Sequence, residues 1–383
     1  MDFRLTEEQE LLLESIREVM ARDCTEEYMK ECAENGTYPQ RFVDAFTEAG
    51  FGMLGVPEEY GGTPVDTLTL MLVAEEICKN GGPHFVFGQA LSIADMLEFG
   101  SEEQKAQTME EIMAGKVGFI LGFTEPQAGS DSSAIATSFK RENGKVYING
   151  HKTFMSNGLR AKYMLCLARN ADEPSDTGKK NALSMWWVPM DSPGVKVQPI
   201  KKIGWHMMDT CDIYLDNVEL EEKDLVGTEG NGFMQAMINF EVERLLMASN
   251  VLGFAECAFD DAVRYANQRV QFGKPIGANQ LIQQKIVTMK IKIENMKNMI
   301  YKTAWMIDNK MPVQIDSALV KLYCAQSAME VVDDALQIMG GIGYTQECRI
   351  SRLWIDSRVF RIGGGTDEIM IHAAGRAILR SYK

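Results

Sequence analysis

Asn239-Phe240-Glu241-Val242-Glu243-Arg244-Leu245-Leu246-Met247-Ala248 lies in a long segment, residue 232 to about 268, that reads as one helix. Met237, Phe240, Arg244, Met247, Val251, Phe254 and Ala258 recur at alternating three- and four-residue steps, which puts them on one helical face. Arg244 sits on that apolar stripe with Glu243 beside it, and no further charge follows until Glu256. Charges on a buried helix are costly unless paired, hydrogen-bonded or used. Two readings are open at this stretch. One is a structural ion pair on the flank of a core helix. The other is a catalytic base, Glu243, beside an Arg244 that helps hold a substrate.

Downstream the helical period continues to the end of the chain. Ile282, Ile286, Met289, Ile293, Met296 and Ile300 form a bundle stripe, and a further helix covers about 314–339. Upstream, Thr6-Glu7-Glu8-Gln9 and Ser101-Glu102-Glu103-Gln104 are capping boxes. They open helices at about 7–20 and 102–115, with others expected at about 40–49 and 67–79. Between the helical stretches the period changes to that of strands. Residues 117–123 are a short apolar run. Arg141-Glu142-Asn143-Gly144 carries the Asn-Gly signal of a hairpin. Strands at about 163–168, 183–188, 195–198 and 213–215 follow at short intervals, which suggests a small antiparallel sheet or barrel. The expected layout is an α-helical segment over 1–116, a β segment over 117–222 and an α-helical bundle over 223–383.

Composition excludes several function classes. With 39 Lys and Arg against 54 Asp and Glu, the 383-residue chain has a net charge of −15, which argues against nucleic acid and anionic membranes as main partners. Apolar residues make up 45% and charged residues 24%, ordinary for a soluble protein with a large core. No apolar run reaches the ~18 residues needed to span a bilayer. The acidic N-terminus does not read as a targeting peptide. The eight cysteines form no C-x-x-C pair and the four histidines are scattered, so no metal site is expected. Reduced, buried thiols in a cytoplasmic protein are the expectation.

Taken singly, the remaining motifs are weak. Thr124-Glu125-Pro126-Gln127-Ala128-Gly129-Ser130-Asp131 is a small-residue loop after a strand, able to bring backbone N–H and hydroxyl groups to a ligand or to be a plain turn. Gly340-Gly341-Ile342-Gly343 and Gly363-Gly364-Gly365 do not follow strands, so neither is a Rossmann fingerprint. Together the segments are specific. Phe123 through Asp131, Asn149-Gly150-His151-Lys152-Thr153-Phe154-Met155-Ser156-Asn157-Gly158, Gln268-Arg269-Val270-Gln271-Phe272-Gly273, Gln337-Ile338-Met339-Gly340-Gly341 and Gly365-Thr366-Asp367-Glu368 occur in the order and spacing of acyl-CoA dehydrogenases. The chain resembles that family along nearly its whole length.

The resemblance implies an N-terminal helical domain, a middle antiparallel β domain and a C-terminal four-helix bundle. It also implies one FAD per subunit, an acyl-CoA thioester substrate, and a homotetramer, or at least a dimer, sharing each flavin site. By matching positions, Leu121, Phe123, Thr124 and Ser130 would line the flavin and the ligand mouth. Phe154 and Ser156 would face the isoalloxazine ring, with Phe154 standing where the family often has Trp. Arg269, Gln271, Phe272 and Gln280 would reach the FAD of a neighbouring subunit. Gln337, Gly340 and Gly341 would lie along the pyrophosphate, and Thr366, Asp367 and Glu368 would hold the nucleotide end, although Glu368 replaces a common Gln. Gly365 is the candidate backbone donor to the thioester oxygen.

One departure bears directly on the chemistry. Many members carry the catalytic Glu directly before the Gly-Thr of the last motif, where this chain has Gly364. A branch that includes isovaleryl and long-chain enzymes carries it instead on the helix beside the Arg, which matches Glu243 next to Arg244. That turns the opening ambiguity toward the catalytic reading, with Glu241 or Glu368 as substitutes. Residues 261–273, Asn295-Met296-Lys297-Asn298-Met299-Ile300-Tyr301, Ile350-Ser351-Arg352-Leu353-Trp354 and the opening Met1-Asp2-Phe3 are similar to the crotonobetainyl-CoA reductase branch of carnitine metabolism. That branch works in the reducing direction, with electrons from an electron-transferring flavoprotein. The competing expectations are a short- or branched-chain acyl-CoA dehydrogenase and a flavoprotein that binds acyl-CoA without catalysis.

Overall fold

A computed structural model describes residues 4–86, 89–172 and 183–383; Met1-Asp2-Phe3 lies outside the described residues. Six helices come first: α1 (Glu7–Asp23), α2 (Glu26–Asn35), α3 (Gln40–Glu48), α4 (Thr67–Lys79), α5 (Gln89–Phe99) and α6 (Glu102–Met113). Both expected capping boxes are formed, at Thr6 with Gln9 and at Ser101 with Gln104. Helix α2 is not foreseen by periodicity, because only Met29 and Cys32 of its ten residues are buried. It is defined by its ends, a Thr25 cap and Gly36 in the left-handed conformation.

Eight strands follow: β1 (Phe119–Gly122), β2 (Ser138–Glu142), β3 (Lys145–Ser156), β4 (Tyr163–Asn170), β5 (Leu183–Pro189), β6 (Val195–Pro199), β7 (Thr210–Leu220) and β8 (Leu225–Val226). Their order is β6-β7-β3-β2-β4-β5-β8, with β1 also on β4. Asn143 and Gly144 both take positive φ, 53° and 77°, as the tight β2–β3 hairpin requires. Most pairings are antiparallel. The exceptions are β1 with β4 and β2 with β4, which run parallel, a feature the spacing of strands does not signal. Strand β4 is buried on both faces: Met164, Cys166 and Ala168 join one apolar cluster, Tyr163, Leu165 and Leu167 another. That explains its unbroken apolar run.

The C-terminal part contains α7 (Gly232–Gln268), a small hairpin of β9 (Val270–Gln271) and β10 (Lys274–Pro275), α8 (Gln280–Asp308), α9 (Gln314–Met339), α10 (Arg349–Ser357) and α11 (Asp367–Ser381). Helical segments far apart in sequence share one core. Ile16, Phe42 and Met71 pack in the same cluster as Leu252, Met289, Ala325 and Leu353. Helices α4 and α7 meet at Gly253, where a Cβ would stand 2.4 Å from the Glu75 carbonyl oxygen and 2.5 Å from Cys78 Cβ. Gly253→Ala is therefore expected to push the helices apart and lower stability by about 1–3 kcal/mol, read from denaturant unfolding. An unchanged midpoint would show that the backbones yield.

All eight cysteines are free thiols, and seven are buried. Among the described residues, no group of three or more His, Cys, Asp or Glu could hold a metal ion, and no helix is long and apolar enough to cross a membrane.

Candidate active site

Helix α7 carries Glu243 and Arg244 where Asn239 meets Asp95 of α5 and Met247 meets the Gly363-Gly364-Gly365 loop, which Lys321 of α9 holds from behind; the space between these elements is the candidate cleft. The Glu243 side chain stands among many protein atoms yet keeps an accessible surface, so it lines an open cleft rather than sitting in the core. Burial raises its carboxyl above the usual value, against the opposing charges of Arg244 and Lys321. Arg244 is half-buried. Its Nε is shielded from solvent and has no hydrogen-bond partner in the protein. Burial lowers the guanidinium pKa, opposed by Glu241 and Glu243, and burial raises Glu241 in turn. Among the described residues no ion pair within 4.0 Å joins Arg244 to Glu243 or Glu241. A pair built for stability would satisfy the Nε donor, so Arg244 is held here without the hydrogen bond that a structural ion pair needs at Nε.

Two groups that sequence reasoning passed over flank Glu243. From α9, Lys321 is 1% exposed and its Nζ donates to the Gly365 carbonyl oxygen. Burial lowers its pKa to about 8, countered by Asp367 and Glu243. From α5, Asp95 is 6% exposed and accepts a hydrogen bond from Asn239 Nδ2, one turn before Glu243 on α7. Burial pushes Asp95 up to about 7, and the neighbouring charges of Glu243 and Glu98 add to that. The available signal for both was a lone charge inside an apolar run, Ala318-Leu319-Val320-Lys321-Leu322 and Ile93-Ala94-Asp95-Met96-Leu97.

The glycine loop closes the cleft. Gly364 and Gly365 have φ of 61° and 94°, and a Cβ on Gly364 would lie 2.3 Å from Met247 Sδ. Position 364 thus has neither the backbone conformation nor the space that a carboxylate-bearing residue needs while Met247 stays where it is. Thr366 caps α11 by accepting from the Ile369 N–H. Asp367, expected at the nucleotide end, is 5% exposed, and its Oδ1 has no hydrogen-bond partner. Arg361 (2.8 Å) and Gln326 (3.0 Å) hold its Oδ2, which makes it a support of the loop. Glu368 is exposed on the first turn of α11.

At the other wall, the Phe123 ring packs 5.7 Å from Phe240 and 6.2 Å from Phe233 of α7, which ties the Thr124–Asp131 loop to the cleft. Leu121, Phe123 and Thr124 are half-buried and Ser130 is exposed. The Thr124 carbonyl accepts from the Thr153 N–H at 2.9 Å, which brings β3 alongside. There the register of β3 on β7 slips between Lys152 and Met155. Phe154, in the slip, takes φ of 59° and turns outward, 64% exposed, with Ser156 half-buried after it. Gly340 has φ of 62° and, like Gly341, nothing within 4 Å of a built Cβ, an open cradle in which backbone can approach a bulky group. Gln337 is exposed just before it.

These features fit the FAD that the motifs imply: an aromatic face and hydroxyls on one wall, and glycine backbone without side chains at α9's end. Arg269, Gln271, Phe272 and Gln280 gather elsewhere, on the β9–β10 hairpin and the start of α8. Phe272 has φ of 52° at the hairpin tip and is 99% exposed.

Family models describing the N-terminal, middle and C-terminal domains of acyl-CoA dehydrogenase match residues 6–116, 121–218 and 230–379. The "Probable acyl-CoA dehydrogenase YdiO" of Escherichia coli (strain K12) is 54% identical over the whole of both chains. Among solved structures, butyryl-CoA dehydrogenase from Megasphaera elsdenii superposes with a TM-score of 0.91 at 30% identity, covering 99% of this chain and 100% of that one. A chain from work on the electron transferring flavoprotein of Acidaminococcus fermentans gives 0.92 at 30% identity, with coverage of 99% and 100%.

Proposed function

Because the chain belongs to the acyl-CoA dehydrogenase family, FAD-dependent oxidoreductases acting on the CH–CH bond of acyl-CoA thioesters, we propose that Glu243 is its acid–base residue at the substrate α carbon and that crotonobetainyl-CoA, reduced to γ-butyrobetainyl-CoA, is its substrate. The observation that carries the first part is the pairing of an accessible Glu243 with the unpartnered Arg244 Nε in one cleft. In the reducing direction the Glu243 carboxyl delivers a proton to Cα, and in the oxidising direction its carboxylate removes one. FAD, when bound, would supply the hydride chemistry at Cβ. Charge that develops on the thioester oxygen is met by backbone N–H donors of the glycine loop, with Gly365 as the candidate. Arg244 fixes the thioester relative to Glu243, so that proton transfer happens within hydrogen-bond reach.

The cationic acyl group rests on Asp95. It is a buried carboxyl on α5 that accepts from Asn239, which lies four residues, about 6 Å along the axis, before Glu243 on α7. A quaternary ammonium arriving there would pull the Asp95 carboxyl down from about 7 and hold it ionised. The ring of Phe240 on the same helix, and that of Phe123 packed against it from the loop after β1, offer ring-face contact. Electrons would come from an electron-transferring flavoprotein, in a cytoplasmic homotetramer in which Phe272 and its hairpin reach a neighbouring subunit's flavin. The likeness to butyryl-CoA dehydrogenase favours a second reading, a neutral short-chain thioester.

Anaerobic flavin spectroscopy separates the two. Chemically reduced enzyme is mixed with crotonobetainyl-CoA or crotonyl-CoA, and the return of the flavin absorbance is followed. Fast reoxidation by the betainyl thioester, with a KM raised about 10–100-fold in Asp95→Asn while any rate with crotonyl-CoA is unmoved, supports the cationic substrate. Reoxidation by crotonyl-CoA alone assigns the neutral one.

A further inference from the structure

From the placement of its ammonium group, we propose that Lys321 is a positioning residue of the acid–base site, joining the Gly365 loop to Glu243 through one buried cation. The proposal rests on the assignment of Glu243 above. Lys321 lies in the middle of α9, 1% exposed, among the apolar neighbours Ala318, Val320 and Cys324, which are themselves buried. Burying a lysine in such surroundings is costly unless the charge is used. Its Nζ has one hydrogen bond to show for that cost, to the Gly365 carbonyl oxygen, and no salt bridge within 4.0 Å among the described residues.

A stabilising lysine would be expected to close on a carboxylate. Asp367 is near enough to act on Lys321 electrostatically, yet no bond joins them: Arg361 and Gln326 hold its Oδ2, and its buried Oδ1 has no partner. Lys321 instead reaches the loop whose two glycines have positive φ and no side chains of their own to anchor them. With Gly365 tied to α9, the N–H groups of the loop keep a set direction relative to α7. The same cation acts on Glu243, and it also faces Arg244. The charges around the base are therefore Arg244 beside it on α7, with Glu241 acting on that guanidinium; Lys321 from α9; Asp367 from α11, acting on Lys321; and Asp95 from α5, with Glu98 behind it. Lys321 and Arg244 favour the carboxylate form of Glu243, while burial opposes it. Removing the lysine charge tips that balance toward the protonated acid.

The test uses FAD-loaded enzyme and a reaction that needs only the base. The probe is 3,3-dimethylbutyryl-CoA, whose β carbon carries no hydrogen, so no hydride can leave. Its α C–H breaks, the proton passes to the Glu243 carboxylate, and a deuteron from D2O returns to the same carbon. Mass spectrometry reads the uptake across pH. In Lys321→Met the acid limb of exchange is expected to move to higher pH by about one unit, so that exchange below the limb falls about tenfold, while FAD content is unchanged. Lys321→Gln, which keeps a donor for Gly365 but no charge, is expected to show the same displaced limb. Lys321→Arg restores the wild-type limb.

A wild-type limb and rate in either neutral variant that loads FAD would overturn the proposal. So would a series in which only Lys321→Arg folds, because the residue is then structural. Glu243→Gln runs in parallel: exchange at the wild-type rate in that variant overturns the base assignment and the lysine's role with it, whereas its loss beside an unmoved Lys321→Met limb overturns the lysine's role alone.

Discussion

Glu243→Gln is expected to lower kcat by about 10²–10⁴-fold while FAD stays bound and the thioester still binds. The amide keeps the size and shape of the side chain, so packing against Phe240 and Met247 at neighbouring helical positions is preserved. What goes is a group that can hold a proton at one moment and release it at the next. Burial holds the Glu243 carboxyl above its usual value, and Arg244 and Lys321 limit how far it rises. In the oxidising direction the carboxylate is needed, so the rate should fall on the acid side at a pH above the ordinary carboxylate range of ~4.3. In the reducing direction the acid is needed, and the same group should produce a fall on the alkaline side. Stopped-flow flavin traces across pH, with FAD content read from the protein spectrum, check both directions. Full activity in the variant would move the role to Glu241 or Glu368. Of these, Glu241 lies two residues away on α7 and Glu368 is exposed on α11, so neither shares the position of Glu243.

The second large effect is on stability. Lys152→Met is expected to destabilise the fold by about 3–5 kcal/mol, because it strands a buried carboxylate. Lys152 and Glu125 are 0% and 2% exposed, with Nζ and Oε1 2.7 Å apart. Lys152 Nζ also donates to the Leu167 carbonyl at 2.8 Å, and Glu125 accepts the Ala136 and Thr137 N–H groups at 2.7 and 3.1 Å. This one pair therefore binds the Thr124–Asp131 loop, β3 and β4 together at the wall expected to face the flavin.

The pH dependence follows from Glu125. Burial pushes its carboxyl up, but Lys152 and the Thr137 and Ala136 N–H groups outweigh burial and hold it below the usual value. A carboxyl with a folded pKa below its unfolded one contributes fully above the unfolded value, ~4.3, and loses that contribution as pH falls through the folded value. Wild-type stability should therefore drop below about pH 4 by a part that Lys152→Met has already lost. The gap between the two unfolding curves should narrow there. A constant gap from pH 7 to pH 3 would mean that the pair is not the source of the effect.

The two predictions rest on parts of the molecule that differ in how far sequence alone reaches. Helix α7 is legible because its signal is local: the apolar period persists along the chain, and the helix indeed runs from Gly232 to Gln268. The capping boxes at Thr6 and Ser101 and the Asn143-Gly144 hairpin are local in the same sense, since their donors and acceptors lie within three residues of each other. The motif set identified the family, and with it FAD and the reaction class, and it singled out Gly364 as a position without a base. Tertiary structure decided what surrounds Glu243. Asp95 and Lys321 arrive from helices far along the chain on either side, and neither has a local pattern that announces its partner. Only the packing of α5, α7, α9 and α11 shows that Arg244 Nε is buried without a partner and that Lys321 reaches the Gly365 carbonyl. The same packing shows that Asp367 is bonded to Arg361. The parallel pairing of β1 and β2 with β4 belongs with these, because a strand's own residues set its alternation but not which neighbour it meets. Periodicity and caps are short-range physics carried by adjacent residues, whereas the charge balance of a buried site is a sum over elements that only the folded chain brings together.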